Sequence, residues 1–513
     1  MSTEVLFGQA YFLRFDPKLW EAQQPYPPLG TLYAAAYVRQ RGHRVALFDA
    51  MLATSESEWA EALDRHRPRL AVLYEDNFNY LSKMCLLRMR QAALTMISAA
   101  RDRGLPIVVA GSDASDRPDL YLDAGADLVI VGEGEETLAE VVRISAEGRI
   151  ADARPIAGTC VRDQHGNLRR HPPRALIRDL NALPAPAWDL VDVPRYRDMW
   201  SRRHGYFSMN LSTTRGCPYH CNWCAKPIYG QRYAARSPES VVAELAWLKE
   251  TYRPDHVWMA DDIFGLKPGW IERFAELVRA AQAVVPYKAL LRADGVTEPV
   301  AAALATSGCH TVWIGAESGS QRVLDAMEKG IHVDEIVTAT RRLREHGIAV
   351  AFFLQFGYPG ETLEDIERTL DMVETCRPDD IGVSVSYPLP GTTFHERVKA
   401  QLGQKQNWVD SNDLALMYPS TYPPEFYRVL HSLVHGLFRS RRAAAAVGRL
   451  IADRRVPTRR EVREIMGGLN QRARLAWVRR RWRRLGTVGP TPTPSLVPVL
   501  SRRAAAVPSE QPR

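Results

Sequence analysis

Three cysteines fall within eight residues, in the stretch Cys217-Pro218-Tyr219-His220-Cys221-Asn222-Trp223-Cys224. Thiolates are soft ligands, and three so close together on one chain point to a metal centre. A structural zinc site wants four protein ligands, so zinc here needs His220 or a distant cysteine as the fourth. An iron–sulfur cubane takes one thiolate per iron, so three thiolates leave one iron open to an outside ligand. His220 lies inside the loop between Tyr219 and Cys221, poorly placed to close a zinc site, and Trp223 beside Cys224 would shield a cluster from water. The other cysteines, Cys85, Cys160, Cys309 and Cys376, lie far apart and read as small buried hydrophobes. Seven cysteines in 513 residues suit a reducing compartment, where clustered Cys means metal or catalysis rather than disulfides.

The elements around the loop are those of an α/β protein. Hydrophobic residues make up 46% and charged residues 25%, which excludes collagen-like, coiled-coil, disulfide-scaffold and wholly disordered chains. Residues 1–150 alternate strand-like runs (Val5–Leu13, Arg44–Phe48, Leu70–Tyr74, Ile107–Ala110, Leu128–Val131) with helical stretches (Leu29–Arg41, Glu56–Arg65, Tyr80–Arg103, Glu135–Glu147). That alternation predicts a parallel, doubly wound sheet with ligands at the carboxyl ends of its strands. Three loops at those ends stand out: Pro25-Tyr26-Pro27-Pro28-Leu29-Gly30, Ala110-Gly111-Ser112-Asp113 and Gly132-Glu133-Gly134-Glu135-Glu136. By spacing alone they are equally ordinary helix-capping turns. Residues 151–205 read as a connector, with a hairpin at Cys160–Leu168 outside the sheet and a run of prolines after it.

From 206 to 400 a second βα series follows. Strands are predicted at Met209–Thr213, His256–Ala260, Lys288–Arg292, Thr311–Gly315, Val350–Phe356 and Gly382–Ser386. Six such units predict a parallel barrel or part-barrel with its working residues at the strand C-termini, and the cysteine loop follows the first strand. Residues 401–485 read as helical, and 486–513 as a disordered tail. The N-terminus lacks the charged start, apolar core and cleavage site of a signal peptide, and no run of about 18 apolar residues occurs, so a cytoplasmic location is expected.

Here a resemblance becomes specific. Thr213-Thr214-Arg215-Gly216-Cys217 through Cys224 resembles the signature of the radical S-adenosylmethionine (SAM) superfamily. The resemblance implies that Cys217, Cys221 and Cys224 bind a [4Fe-4S] cluster whose open iron is chelated by SAM. Reduction by a donor such as flavodoxin or ferredoxin would then release a 5′-deoxyadenosyl radical. Met259-Ala260-Asp261-Asp262, Leu291-Arg292-Ala293-Asp294-Gly295, Ile314-Gly315-Ala316-Glu317-Ser318 and Gly357-Tyr358-Pro359-Gly360 are similar, in order and spacing, to that family's later strand-end motifs. By resemblance, Asp261 would sit near SAM's ammonium group and Arg292 would place its carboxylate. Glu317 and Ser318 would contact ribose or methionine, and Gly357 and Gly360 would approach the adenosine.

The N-terminal loops resemble the cobalamin-binding domain that precedes many radical SAM barrels. Leu29, Gly30, Ser112, Gly132, Glu133 and Gly134 are thereby implied in cofactor binding, and Asn181–Asp189 is similar to the connector of that architecture. The D-x-H-x-x-G motif that ligates cobalt in mutases is incomplete: Asp163-Gln164-His165 is followed by Leu168 where glycine is needed, so no lower histidine ligand is expected. The fold expected is a Rossmann-like cobalamin-binding domain, a radical SAM partial (β/α)6 barrel and a small helical C-terminal region.

The resemblance implies a cobalamin-dependent radical SAM enzyme that methylates an unactivated carbon of a small-molecule or lipid-like substrate. A radical SAM cyclase of a porphyrin-like ester shares the same modules. A tRNA methylthiotransferase would need three further cysteines near the N-terminus, where only Cys85 and Cys160 occur. A zinc-stabilised, non-enzymatic binding module is the remaining reading.

The net charge of +8 is unevenly spread: residues 439–513 carry 19 Arg against four acidic residues, leaving 48 basic and 55 acidic residues in the rest. Any basic surface therefore belongs to the tail. Within 470–485, Leu475, Val478, Trp482 and Leu485 recur at helical spacing among seven arginines. Such a helix either docks on the protein or makes a peripheral contact with an anionic inner membrane surface. Only Trp477 and Trp482 interleave the arginines, so no nucleic-acid partner is expected.

Overall fold

The computed structural model describes residues 3–487 apart from 80–85, 149, 151–154, 227, 406, 412, 454 and 455. Two main sheets carry the chain. The first contains β1 (Val5–Gly8), β2 (Val45–Leu47), β3 (Leu70–Tyr74), β4 (Ile107–Ala110), β5 (Leu128–Ile130), β6 (Thr159–Arg162) and β7 (Leu168–Arg170), in the order β2-β1-β3-β4-β5-β6-β7. The first five strands run parallel. Both faces of β1, β3 and β4 are buried, which is why these strands read as unbroken apolar runs. The helices Leu29–Gln40 and Glu135–Ala146 cover one face and Ser57–His66 and Leu87–Arg101 the other, each closing its own apolar layer.

Several expectations are corrected. β1 ends at Gly8 rather than Leu13, because Gln9 turns its side chain onto the backbone of Tyr11 and Leu13–Phe15 form a helical turn. The helix expected at Tyr80–Arg103 runs Leu87–Arg101, and residues 80–85, with Cys85, lie outside the described residues. The hairpin expected outside the sheet belongs to it: β6 pairs antiparallel with β5, and β7 with β6. It covers the edge of β5 and buries Cys160 completely.

The second sheet contains β8 (Ser208–Leu211), β11 (His256–Met259), β12 (Tyr287–Leu291), β13 (Cys309–Glu317), β14 (Ala349–Phe356) and β15 (Asp380–Val385). All are parallel, in the order β15-β14-β13-β12-β11-β8, and β8 and β15 do not meet, so the barrel is partial. A small antiparallel ribbon, β9 (Thr214–Arg215) with β10 (Ala234–Ala235), flanks the cysteine loop. The start of the Pro25–Gly30 loop packs on the second domain. Pro27 accepts a hydrogen bond from Asn210 at 3.0 Å, Tyr26 and Ser208 bond at 3.0 Å, and Pro25 accepts one from Trp200 at 2.7 Å.

Two long helices, Pro424–Asp453 and Arg459–Thr487, pack against each other at the C-terminus. The apolar stripe of the second faces inward: Trp482 is fully buried against Phe426, and Leu475, Val478 and Leu485 pack on the same core. The stripe offered to a membrane from the sequence is thus covered by the chain itself. No helix among the described residues is long and apolar enough to cross a membrane. The expected tail lies, beyond Thr487, outside the described residues. Removing the buried Trp482 ring leaves a cavity in this contact, so Trp482→Ala is expected to cost about 3–5 kcal/mol, read as a lowered denaturant midpoint.

Candidate functional site

Cys217, Cys221 and Cys224 are free and half-buried on the loop that follows β9. Gly216 opens it at φ +79°, and a Cβ there would lie 2.2 Å from the carbonyl oxygen of Arg232, so only glycine fits. Asn222 fastens the middle of the loop. Its backbone donates to Met327 at 3.1 Å, its side-chain amide donates to Ala326 at 2.7 Å, and its carbonyl oxygens accept from the Tyr358 hydroxyl and the Phe394 amide. Lys226 reaches back to the Tyr219 carbonyl, and the Arg292 guanidinium lies 3.6 Å over the Tyr219 ring.

Burial pushes the Cys224 thiol up to about 12 and raises Cys217, with the neighbouring thiols adding and Lys226 opposing. A bound metal's positive charge would reverse that shift. Among the described residues no three His, Cys, Asp or Glu side chains stand together at metal-holding geometry. The donor set fits an iron–sulfur cluster better than zinc, because His220 points to solvent and Cys160, Cys309 and Cys376 are buried elsewhere.

The strand-end residues gather around this loop, but most are already engaged. Asp261, expected near an ammonium group, accepts hydrogen bonds from the Thr213 amide at 2.7 Å, the Thr213 hydroxyl at 2.7 Å and the Thr214 amide at 2.8 Å. It holds the chain leading into the cysteines, and burial pushes its carboxyl up to about 6. Arg292, expected at a carboxylate, pairs with Asp294 and donates to the carbonyls of Lys329 and Gly330 at 2.9 and 3.0 Å.

The β13–β14 register shifts between Gly315 and Glu317, and Glu317 adopts φ +56°. The bulge turns its carboxylate onto Lys329 at 2.9 Å, in a buried ion pair beside Trp223. Ser318 is fully buried, bonding Thr369 and accepting from the Ser320 amide. Gly357 faces Leu416 and Tyr427, where a side chain would crowd, and its carbonyl accepts from Tyr418 at 2.6 Å. The Gly360 carbonyl accepts from Arg322.

In the first domain, Gly30 donates to Asp76 at 2.9 Å, Ser112 lies near Asn77, and Gly132 has φ +80°, where a Cβ would touch the carbonyl oxygen of Ile228 of the barrel at 3.7 Å. These three stand at the carboxyl edge of the sheet, where ligands of such folds bind. The others implied in cofactor binding make contacts within the protein. Leu29 is in the core, and Gly134 makes room for the Tyr74 ring, 2.9 Å from where its Cβ would be. Glu133 spends its oxygens on Arg215 and the Ile177 amide. His165 is exposed in the β6–β7 turn. Sequence reasoning missed Asn222, Lys329 and Arg215; Asn222 and Arg215 carried a signal through their places in the cysteine motif, and Lys329 carried none.

Comparison with known proteins now bears on both halves. The Radical SAM superfamily matches residues 211–373 and the B12 binding domain residues 19–142. The chain thus joins a B12 binding domain to a radical SAM domain. An uncharacterized methyltransferase of Pyrococcus horikoshii is 27% identical over 74% of this chain and 81% of its own length. Among solved structures, the cobalamin-dependent SAM radical enzyme OxsB, with aqua-cobalamin bound, shares the fold at a TM-score of 0.71 and 16% identity, over 93% of this chain and 72% of that one. The radical SAM methyltransferase TsrM from Kitasatospora setae, with cobalamin and a [4Fe-4S] cluster bound, does so at 0.63 and 21%, over 78% of each chain.

Glu361, four residues after Gly357, is fully enclosed. One oxygen accepts the Gly357 amide at 2.6 Å, the other has no hydrogen-bond partner among the described residues, and burial pushes its carboxyl up to about 8. The folded chain therefore keeps a proton that the unfolded chain releases, so the stability this gives is lost as pH rises from the ordinary 4.5 through about 8. Glu361→Gln should flatten that part of the pH–stability curve, as followed by thermal midpoints across the range.

Proposed function

We propose that this enzyme uses a [4Fe-4S] cluster on Cys217, Cys221 and Cys224 to cleave SAM, and methylates an unactivated carbon of a small-molecule or lipid-like substrate. The observation that carries the reading is the cysteine loop held at the carboxyl end of a six-stranded parallel part-barrel, with a B12-binding domain packed on the same barrel. Bound there, the cluster would supply the electron that generates a 5′-deoxyadenosyl radical, and cobalamin would supply the methyl group. The chain's own part is to hold and enclose. Asp261 fixes the entry to the loop, Asn222 fixes its middle, and Trp223 and Tyr219 cover it. Gly30, Ser112 and Gly132, at the carboxyl edge of the first sheet, would stand nearest the carrier. A small electron-transfer protein such as flavodoxin or ferredoxin would reduce the cluster.

The inner wall of the barrel supports an apolar carbon framework as substrate. Phe352 and Leu354 point into the helical core, so Phe353 between them faces the opposite side, 38% exposed and stacked on Trp313 at 4.6 Å. Lys288 lies on the same wall between Tyr26 and Trp258, and burial lowers its amine to about 8. The methyltransferase name of the Pyrococcus relative supports methylation. After anaerobic reconstitution, Cys221→Ala should lose the cluster's visible absorbance and at least about 100-fold of SAM cleavage, measured as 5′-deoxyadenosine, because the cluster has no replacement ligand. Retained 5′-deoxyadenosine in that variant overturns the reading.

A further inference from the structure

Arg215 stands two residues before Cys217, and its side chain leaves the barrel. Its terminal nitrogens go to two different carboxylates of the first domain: Nη1 to Glu133 at 2.5 Å and Nη2 to Glu135 at 2.6 Å. The three side chains are 4%, 5% and 2% exposed. Glu133 also accepts the amide of Ile177 at 2.5 Å, which brings the connector into the same knot. Tyr33 and Phe78 of the first domain and Tyr229 of the barrel wall the guanidinium, with ring centres at 5.5, 5.9 and 5.3 Å. Glu135 begins the helix Glu135–Ala146, whose N-terminal amides offset its charge.

Burying three charges is costly, and apolar residues of similar size would join two domains at least as firmly. What the triad adds is direction. A planar, rigid fork shared between two carboxylates fixes orientation as well as distance. The preceding residues, Thr213 and Thr214, are pinned from the barrel side by Asp261. The entry to the cysteine loop is therefore held from both domains at once.

We propose that Arg215, Glu133 and Glu135 form a clamp that sets where the cysteine loop stands relative to the carboxyl edge of the first domain's sheet. They are positioning residues. The clamp deepens the methylating reading, on which its catalytic consequence rests: the spacing between carrier and cluster would keep SAM cleavage in step with methyl delivery.

Hydrogen exchange on the full-length protein without added cofactors tests the clamp separately from that reading. Arg215→Lys keeps the charge but loses the fork, and Glu135→Gln keeps the shape but loses a charge. Amides of 213–224 and 131–136 should exchange about tenfold faster in Arg215→Lys and less so in Glu135→Gln, with β13 unchanged in both. Should Arg215→Lys fail to fold, a rise confined to 213–224 and 131–136 in Glu135→Gln still supports the clamp. Unchanged exchange at 213–224, or an equal rise in β13, overturns it.

Discussion

The buried carboxylate of Asp261 is the constraint on which the site depends. Two amides and a hydroxyl from Thr213 and Thr214 converge on it, just upstream of Gly216 and Cys217. Buried amides without an acceptor are costly, so this residue determines where β8 ends and the cysteine loop begins. From that point the chain divides its attachments. Arg215 turns into the first domain, and Asn222 binds the turn at Ala326–Glu328. The thiols lie between two fixed ends, none of them in a disulfide.

The elements were largely legible in the sequence, and the destinations of polar side chains were not. Both sheets could be read because parallel strands buried on both faces leave short apolar runs between amphipathic helices. The cysteine motif could be read because three soft ligands at that spacing have few other uses. Asp261, Arg292, Glu317 and Ser318 were correctly placed at strand ends. Their longer-range partners, Thr213 and Thr214 for Asp261, the Lys329 and Gly330 carbonyls for Arg292, Lys329 for Glu317 and Thr369 for Ser318, come from neighbouring elements that no local pattern reveals. Glu133 illustrates the point, since its mate Arg215 is 82 positions away. The β6–β7 hairpin was recognised as a hairpin, but pairing with β5 is a tertiary fact. The apolar stripe around Trp482 was recognised too, and its partner proved to be the preceding helix rather than a lipid surface.

The two sheets share a design. Each offers the carboxyl ends of its parallel strands, and the Pro25–Gly30 loop, the connector and the Arg215 triad bind them into one body. Such an arrangement suits chemistry that needs two bulky cofactors near one substrate, because the relative placement of the halves is then fixed before any cofactor binds.

Metal and sulfide analysis of anaerobically purified, full-length protein, with EPR of the reduced sample, tests the central assignment most directly. About four iron and four sulfide per chain, with a signal that changes when SAM is added, are expected for a cubane with one open iron. Zinc in place of iron, without sulfide, would contradict it.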